Sequence, residues 1–207
     1  VIFTSDNGGR VPTTVNMKLR VGKGSAYEGG LRVPWIVRWP GVTRPGSISD
    51  TPVITMDLVP TLIEMTGVKL PASTSATGAT GRDGLSLVPL LRENGTISRS
   101  ELFWHYPHHQ HYQLGGSMPF GVIRSGDFKL IEFYNDNHIE LYDLHADLGE
   151  QHDLASEQPE KASELRKRLH AWRSEVGAQM PVPNPQYNAS QPEHLPEPVK
   201  KKKNKGR

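Results

Sequence analysis

The chain has 207 residues, enough for one large domain, and its hydrophobic fraction of 35% is low but compatible with a packed core. A formal net charge of +2, much of it in the closing KKKNKGR, leaves the remainder close to neutral and gives no basis for a nucleic-acid groove. Cysteine is absent, which excludes disulfides, thiolate metal sites and a cysteine nucleophile within these residues. No apolar run approaches the ~20 residues of a membrane helix.

Residues 1–4 (VIFT) read as a short buried strand, and the chain opens on it without Met or signal peptide, as a segment whose beginning lies elsewhere would. The following SDNGG falls where an α/β sheet presents ligand-binding loops, beyond the carboxyl end of a strand. Residues 10–32 are polar and glycine-rich, a functional loop more than a scaffold. Residues 34–39 (PWIVRW) form a second strand candidate, closed by Pro40-Gly41. Residues 56–65 space their apolar side chains as a helix does, with Thr55 expected as N-cap and Gly67 as the C-terminal stop. Residues 71–84 read as a loop and 85–91 as a shorter helix ending at Asn94-Gly95.

After residue 100 the pattern changes to strands over 101–106, 120–124, 128–133 and 139–144. The turns Ser125-Gly126-Asp127 and Asn135-Asp136-Asn137 separate three of them, which predicts a small antiparallel sheet. Pro159 opens a helix whose Ala162, Leu165, Leu169, Trp172 and Val176 recur at three- and four-residue steps and should cover one face of that sheet. Beyond Pro181 the chain is rich in Pro and Asn and ends in a basic tail with too little apolar surface to order itself. Three segments follow: 1–95, an α/β portion; 96–187, the sheet with its helix; and 188–207, a disordered basic tail.

Asp6 and Asn7 place two side-chain oxygens on successive turn residues, the hard ligands that Ca²⁺ or Mg²⁺ prefers, although an ordinary Asx-Gly turn has the same form. In GKGSAYEGGLRVP, residues 22–34, Lys23 stands between glycines, so it can meet an anionic oxygen while the backbone approaches closely. The loop lacks the spacer and order of a Walker A motif. Glu28 and Arg32 are suited to pair and hold this loop; Trp35, Trp39 and Trp172 are suited to the core. In LFWHYPHHQHY, residues 102–112, His105, His108, His109 and His111 crowd a strand and its loop without the His-Glu-x-x-His helix spacing of a zinc site.

FTSDNGG followed by GKGSAYEGGLRVPWIVRWPG resembles the C-terminal half of a type I sulfatase of the arylsulfatase family, in the alkaline-phosphatase superfamily. MDLVPTLIEMTG, GVIRSGDFKLIEF and IELYDLHADLGEQHDLA extend the resemblance to about residue 187. It implies the C-terminal part of an alkaline-phosphatase-like α/β sandwich, followed by a four-stranded antiparallel sheet packed by a C-terminal helix. It also implies Asp6 and Asn7 as Ca²⁺ ligands, Lys23 as a sulfate-binding residue and a sulfated small-molecule or carbohydrate substrate. His105 and His108 would lie in the subdomain that shapes the substrate cleft.

The family's nucleophile is formylglycine, made within a Cys/Ser-x-Pro/Ala-x-Arg motif that does not occur here. The implied protein is therefore a periplasmic or secreted sulfuric ester hydrolase of which this portion alone is inactive. A phosphonate or phosphodiester hydrolase of the same superfamily, or a non-catalytic homologue that binds anionic glycans, would use the same scaffold.

Overall fold

The computed structural model describes residues 1–11, 13–69, 84–93, 95–109, 118–182 and 185. All of the expected loop at 71–84 but Gly84, together with His111 and the tail at 188–207, lies outside the described residues. Strands β1 (Ile2–Thr4) and β2 (Trp35–Val37) pair antiparallel, with Phe3 opposite Ile36. Each is shorter than its expected span, although Arg38 and Val1 still exchange backbone bonds at 2.8 Å and 2.7 Å just past the assigned ends; Pro34, which has no N–H, closes the other side. Helix α1 (Glu28–Leu31) occupies the end of the glycine-rich loop.

A 3-10 turn at Thr55–Asp57 leads into α2 (Leu58–Thr66), which Gly67 ends in the left-handed conformation at φ 67°. Thr55 is not the cap. Asp57 stands at that position without a side-chain bond to α2; its carboxylate instead accepts the Ile54 N–H at 3.0 Å and the Leu85 N–H at 2.9 Å while paired to Arg99. Helix α3 (Val88–Leu91) starts later than the apolar run at Leu85, since Leu85 and Leu87 give their amides to Asp57 and Thr61 instead of to a helical turn.

Strands β3 (Glu101–Tyr106), β4 (Phe120–Ser125), β5 (Phe128–Phe133) and β6 (Ile139–Asp143) form an antiparallel sheet in sequence order. Helix α4 (Pro159–Glu175) lies on one face, packing Ala162, Leu165 and Leu169 against Ile123, Leu130 and Leu141. Each of these leucines contributes about 2 kcal/mol by leaving water. Trp172 extends the stripe by stacking on Phe103, with ring centroids 4.8 Å apart. Val176 does not continue it: the helix has ended, Gly177 turns the chain, and the valine is 54% exposed.

The same face buries a charge cluster in which Glu132 accepts from Arg166 at 2.7 Å and His170 at 2.9 Å and pairs with Arg173 at 2.8 Å. Burial pushes the Glu132 carboxyl up, but the bonds from His170 and Arg166 and the Arg173 charge outweigh it and hold the group below its usual range.

The opposite face of the sheet receives the glycine-rich loop. Ala26 and Tyr27 are buried there against Phe120, Val122, Ile131, Phe133 and Tyr142. Large exposed hydrophobic residues concentrate before residue 69, among them Phe3, Val15, Met17, Ile36 and Ile48. Among the described residues no helix is long and apolar enough to cross a membrane.

Candidate functional site

Two loops meet backbone to backbone. The Gly8 N–H donates to Gly30 O at 3.0 Å and the Lys23 N–H to Gly9 O at 3.0 Å. A Cβ on Gly8 would stand 1.7 Å from Gly29 O, a distance no side chain can occupy, so only glycine admits this approach. The contact puts the turn after β1 beside the loop before α1. As a result Asp6, Asn7 and Lys23 line one cleft of about 520 Å³. Arg32, Trp35, residues 49–55 and, from the sheet, Trp104, Tyr106 and Arg124 also line it.

Within the turn, Ser5 Oγ donates to Asn7 O at 2.9 Å, and Asn7 Nδ2 donates to Gly8 O at 3.0 Å. With the amide nitrogen so committed, the Asn7 carboxamide oxygen is left as the acceptor atom of that side chain. Together with the exposed Asp6 carboxylate it makes a two-oxygen donor set suited to a hard cation. Such cations take about six to eight oxygens, so two residues can supply only part of a shell. Among the described residues no group of three or more His, Asp or Glu side chains converges to hold a metal. Two buried polar atoms of cleft-lining residues, Ser25 Oγ and Trp35 Nε1, have no hydrogen-bond partner among the described residues. Donors in that condition are normally satisfied by a polar ligand or water.

His105 is not brought to this cleft. It lies on the α4 side of β3, where Nδ1 and Nε2 bond Tyr134 Oη at 2.7 Å and Gln179 O at 2.9 Å. His108 is exposed just beyond β3, edge-on to Tyr106, which does line the cleft. Glu28 is structural, as its spacing from Arg32 suggests, but Arg32 is the more distant partner at 3.6 Å. Its nearer one is Lys129, at 2.9 Å, which also pairs with Glu150 at 2.8 Å.

Lys129 and Glu150 are 1% and 0% exposed. Burial pushes the Glu150 carboxyl up, and the Lys129 ammonium offsets this only in part. Sequence reasoning passed over this buried triad. A signal was present, however: in FKLIEF both faces of the strand carry apolar residues, so Lys129 and Glu132 had to be buried and paired.

A β-strand that ends in an acidic turn, a glycine-flanked lysine loop beside it and an antiparallel sheet with one packed helix define the C-terminal part of an alkaline-phosphatase-like α/β fold. The family described as N-sulphoglucosamine sulphohydrolase, C-terminal, matches residues 21–176, and the chain belongs to this sulfatase family. It is 43% identical over 158 residues to a sulfatase of Formosa agariphila, covering 72% of this chain and 27% of that protein. With human arylsulfatase A it shares 38% over 136 residues, 62% of this chain and 24% of that protein. The chain thus spans about a quarter of the length of these relatives.

Among solved structures, Ps i-CgsB in complex with k-i-k-neocarrahexaose superposes with a TM-score of 0.67 at 25% identity, over 83% of this chain and 35% of that one. BT4656 in complex with its substrate D-glucosamine-2-N,6-O-disulfate gives 0.61 at 28%, over 85% and 34%. The phosphonate monoester hydrolase of Agrobacterium radiobacter gives 0.60 at 25%, over 84% and 34%.

Proposed function

We propose that this chain supplies one wall of the reaction centre of a sulfatase acting on a sulfated carbohydrate. Asp6 and Asn7 hold a Ca²⁺ ion, and Lys23 binds the sulfate oxygens. The observation that carries this reading is the glycine-imposed contact that sets Asp6, Asn7 and Lys23 in a single cleft.

In sulfate ester cleavage, negative charge grows on the bridging oxygen and the sulfuryl oxygens. The cation supplies Lewis-acid stabilisation of that charge when bound. Lys23 neutralises a sulfuryl oxygen from a half-buried position, where its charge acts more strongly than in open water. Gly9 O fixes the Lys23 amide, so the side chain starts from a set backbone position. Of the two histidines expected at the substrate, His108 is the one against a cleft-lining residue, Tyr106, and is assigned to a sugar hydroxyl. His105 holds the segment that follows α4 to the sheet.

The formylglycine nucleophile and the other calcium ligands belong to polypeptide outside these 207 residues, so the chain alone does not turn over substrate. Export to the periplasm or outside the cell accords with an extracellular sulfated glycan as substrate. The sulfatase carrying this segment should hydrolyse 4-nitrophenyl sulfate, lose activity on calcium chelation, and lose about 10²- to 10³-fold in kcat/KM on Lys23→Ala. Activity unchanged by both treatments would overturn the assignment. The likeness to a phosphonate monoester hydrolase favours one second reading, a phosphorus ester substrate. Cleavage of phenyl phosphonate or phosphodiesters with sulfate esters untouched would select it.

A further inference from the structure

We infer that Lys129 is a positioning residue for the sulfate-binding lysine, acting through a buried clamp that closes the loop bearing Lys23; this rests on the role proposed for Lys23. Glu150 holds both ends of that loop. Its carbonyl accepts from Arg20 at 2.8 Å, and its Oε2 accepts the Glu28 N–H at 2.7 Å. Between residues 20 and 28 stand Lys23 and the buried Ser25. The Gly29 N–H also donates to Arg20 O at 3.0 Å, so the loop's two ends are joined to each other as well as to Glu150.

This clamp gathers two carboxylates, Glu28 and Glu150, in a site almost without solvent. Lys129 lies between them, at 2.9 Å and 2.8 Å, and cancels their repulsion. It projects from β5, the strand that α4 backs from the other side, so the clamp ties the loop to the packed sheet. Glu150 adopts φ 52°, a left-handed conformation unusual for glutamate, and its backbone and both carboxylate oxygens are used in holding that place. With Lys129 removed, two buried carboxylates face each other and the loop opens, moving Lys23 relative to Asp6 and Asn7.

The test is a double-mutant cycle in the sulfatase that carries this segment, with kcat/KM for 4-nitrophenyl sulfate and inhibition by inorganic sulfate as readouts. Lys129→Met should lower kcat/KM on the order of 10²-fold, the effect of displacing a charge-bearing group by about 1 Å. It should also weaken sulfate inhibition. Combined with Lys23→Ala it should add less than about threefold, because a clamp acts only through the residue it places. If the two losses multiply, Lys129 serves stability alone and the inference fails.

Lys23→Ala with full activity would instead overturn the proposed role of Lys23 itself. Should Lys129→Met not fold, Glu150→Gln keeps the volume and removes one of the two facing carboxylates. It must show the same sub-multiplicative coupling to Lys23→Ala, and independent effects there would equally overturn the clamp.

Discussion

Replacing Gly8 by alanine tests the contact on which the site depends. The new Cβ would lie 1.7 Å from Gly29 O, whereas ordinary van der Waals contact begins at 3.4 Å, so the two loops must separate by roughly 1.7 Å. That motion breaks or lengthens the Gly8 to Gly30 hydrogen bond, at 3.0 Å, and draws the Asp6–Asn7 turn away from Lys23. Loss of the bond costs about 1 kcal/mol, and the residual overpacking adds about 1–3 kcal/mol. A displacement of 1 Å already reduces turnover by ~10²-fold where two groups must act on one substrate, so the catalytic loss should exceed the stability loss.

In the sulfatase carrying this segment, Gly8→Ala should therefore reduce kcat/KM for 4-nitrophenyl sulfate at least ~10²-fold and lower Tm by a few degrees. Activity within twofold of the parent at an unchanged Tm would refute the reasoning, since the loops could then not be packed as described.

Asp57→Ala strips the partner from Arg99 and leaves two amide donors without an acceptor; a loss of about 3–5 kcal/mol in chemical denaturation is expected. Trp172→Ala removes a half-buried ring stacked on Phe103 and should cost about 2–3 kcal/mol, read as a lower Tm with β-sheet circular dichroism retained. Glu132 has a folded-state pKa below its ordinary 4.5, so its contribution is present above that value and lost as pH falls through the folded one. The Tm of the wild type should accordingly fall as the pH drops below about 4.5, and Glu132→Gln should flatten that slope. The exposed side chains of Phe3, Val15, Met17, Ile36 and Ile48 predict that the 207-residue polypeptide binds a hydrophobic dye and melts broadly; a sharp two-state transition without dye binding would contradict this.

Much of this architecture was legible from residue order, because the signals are local. Alternation and the two hairpin turns marked β3 to β6, with ends that differ from expectation by a residue at most. The steps of Ala162, Leu165 and Leu169 marked the buried side of α4. The glycines marked a turn after Asp6-Asn7 and a closely approached backbone around Lys23, and the structure brings those two loops together.

Partnerships were another matter. Glu28 has Arg32 four residues away, yet its nearer ion-pair partner is Lys129, separated by 101 positions. The side of β3 that His105 occupies depends on where α4 and Gln179 lie, and no pattern within HYPHH encodes that. Periodicity specifies which residues share a face. Which charge meets which across a core is decided only when the faces pack, and there the penalty for an unpaired buried group forces Lys129 between its two carboxylates.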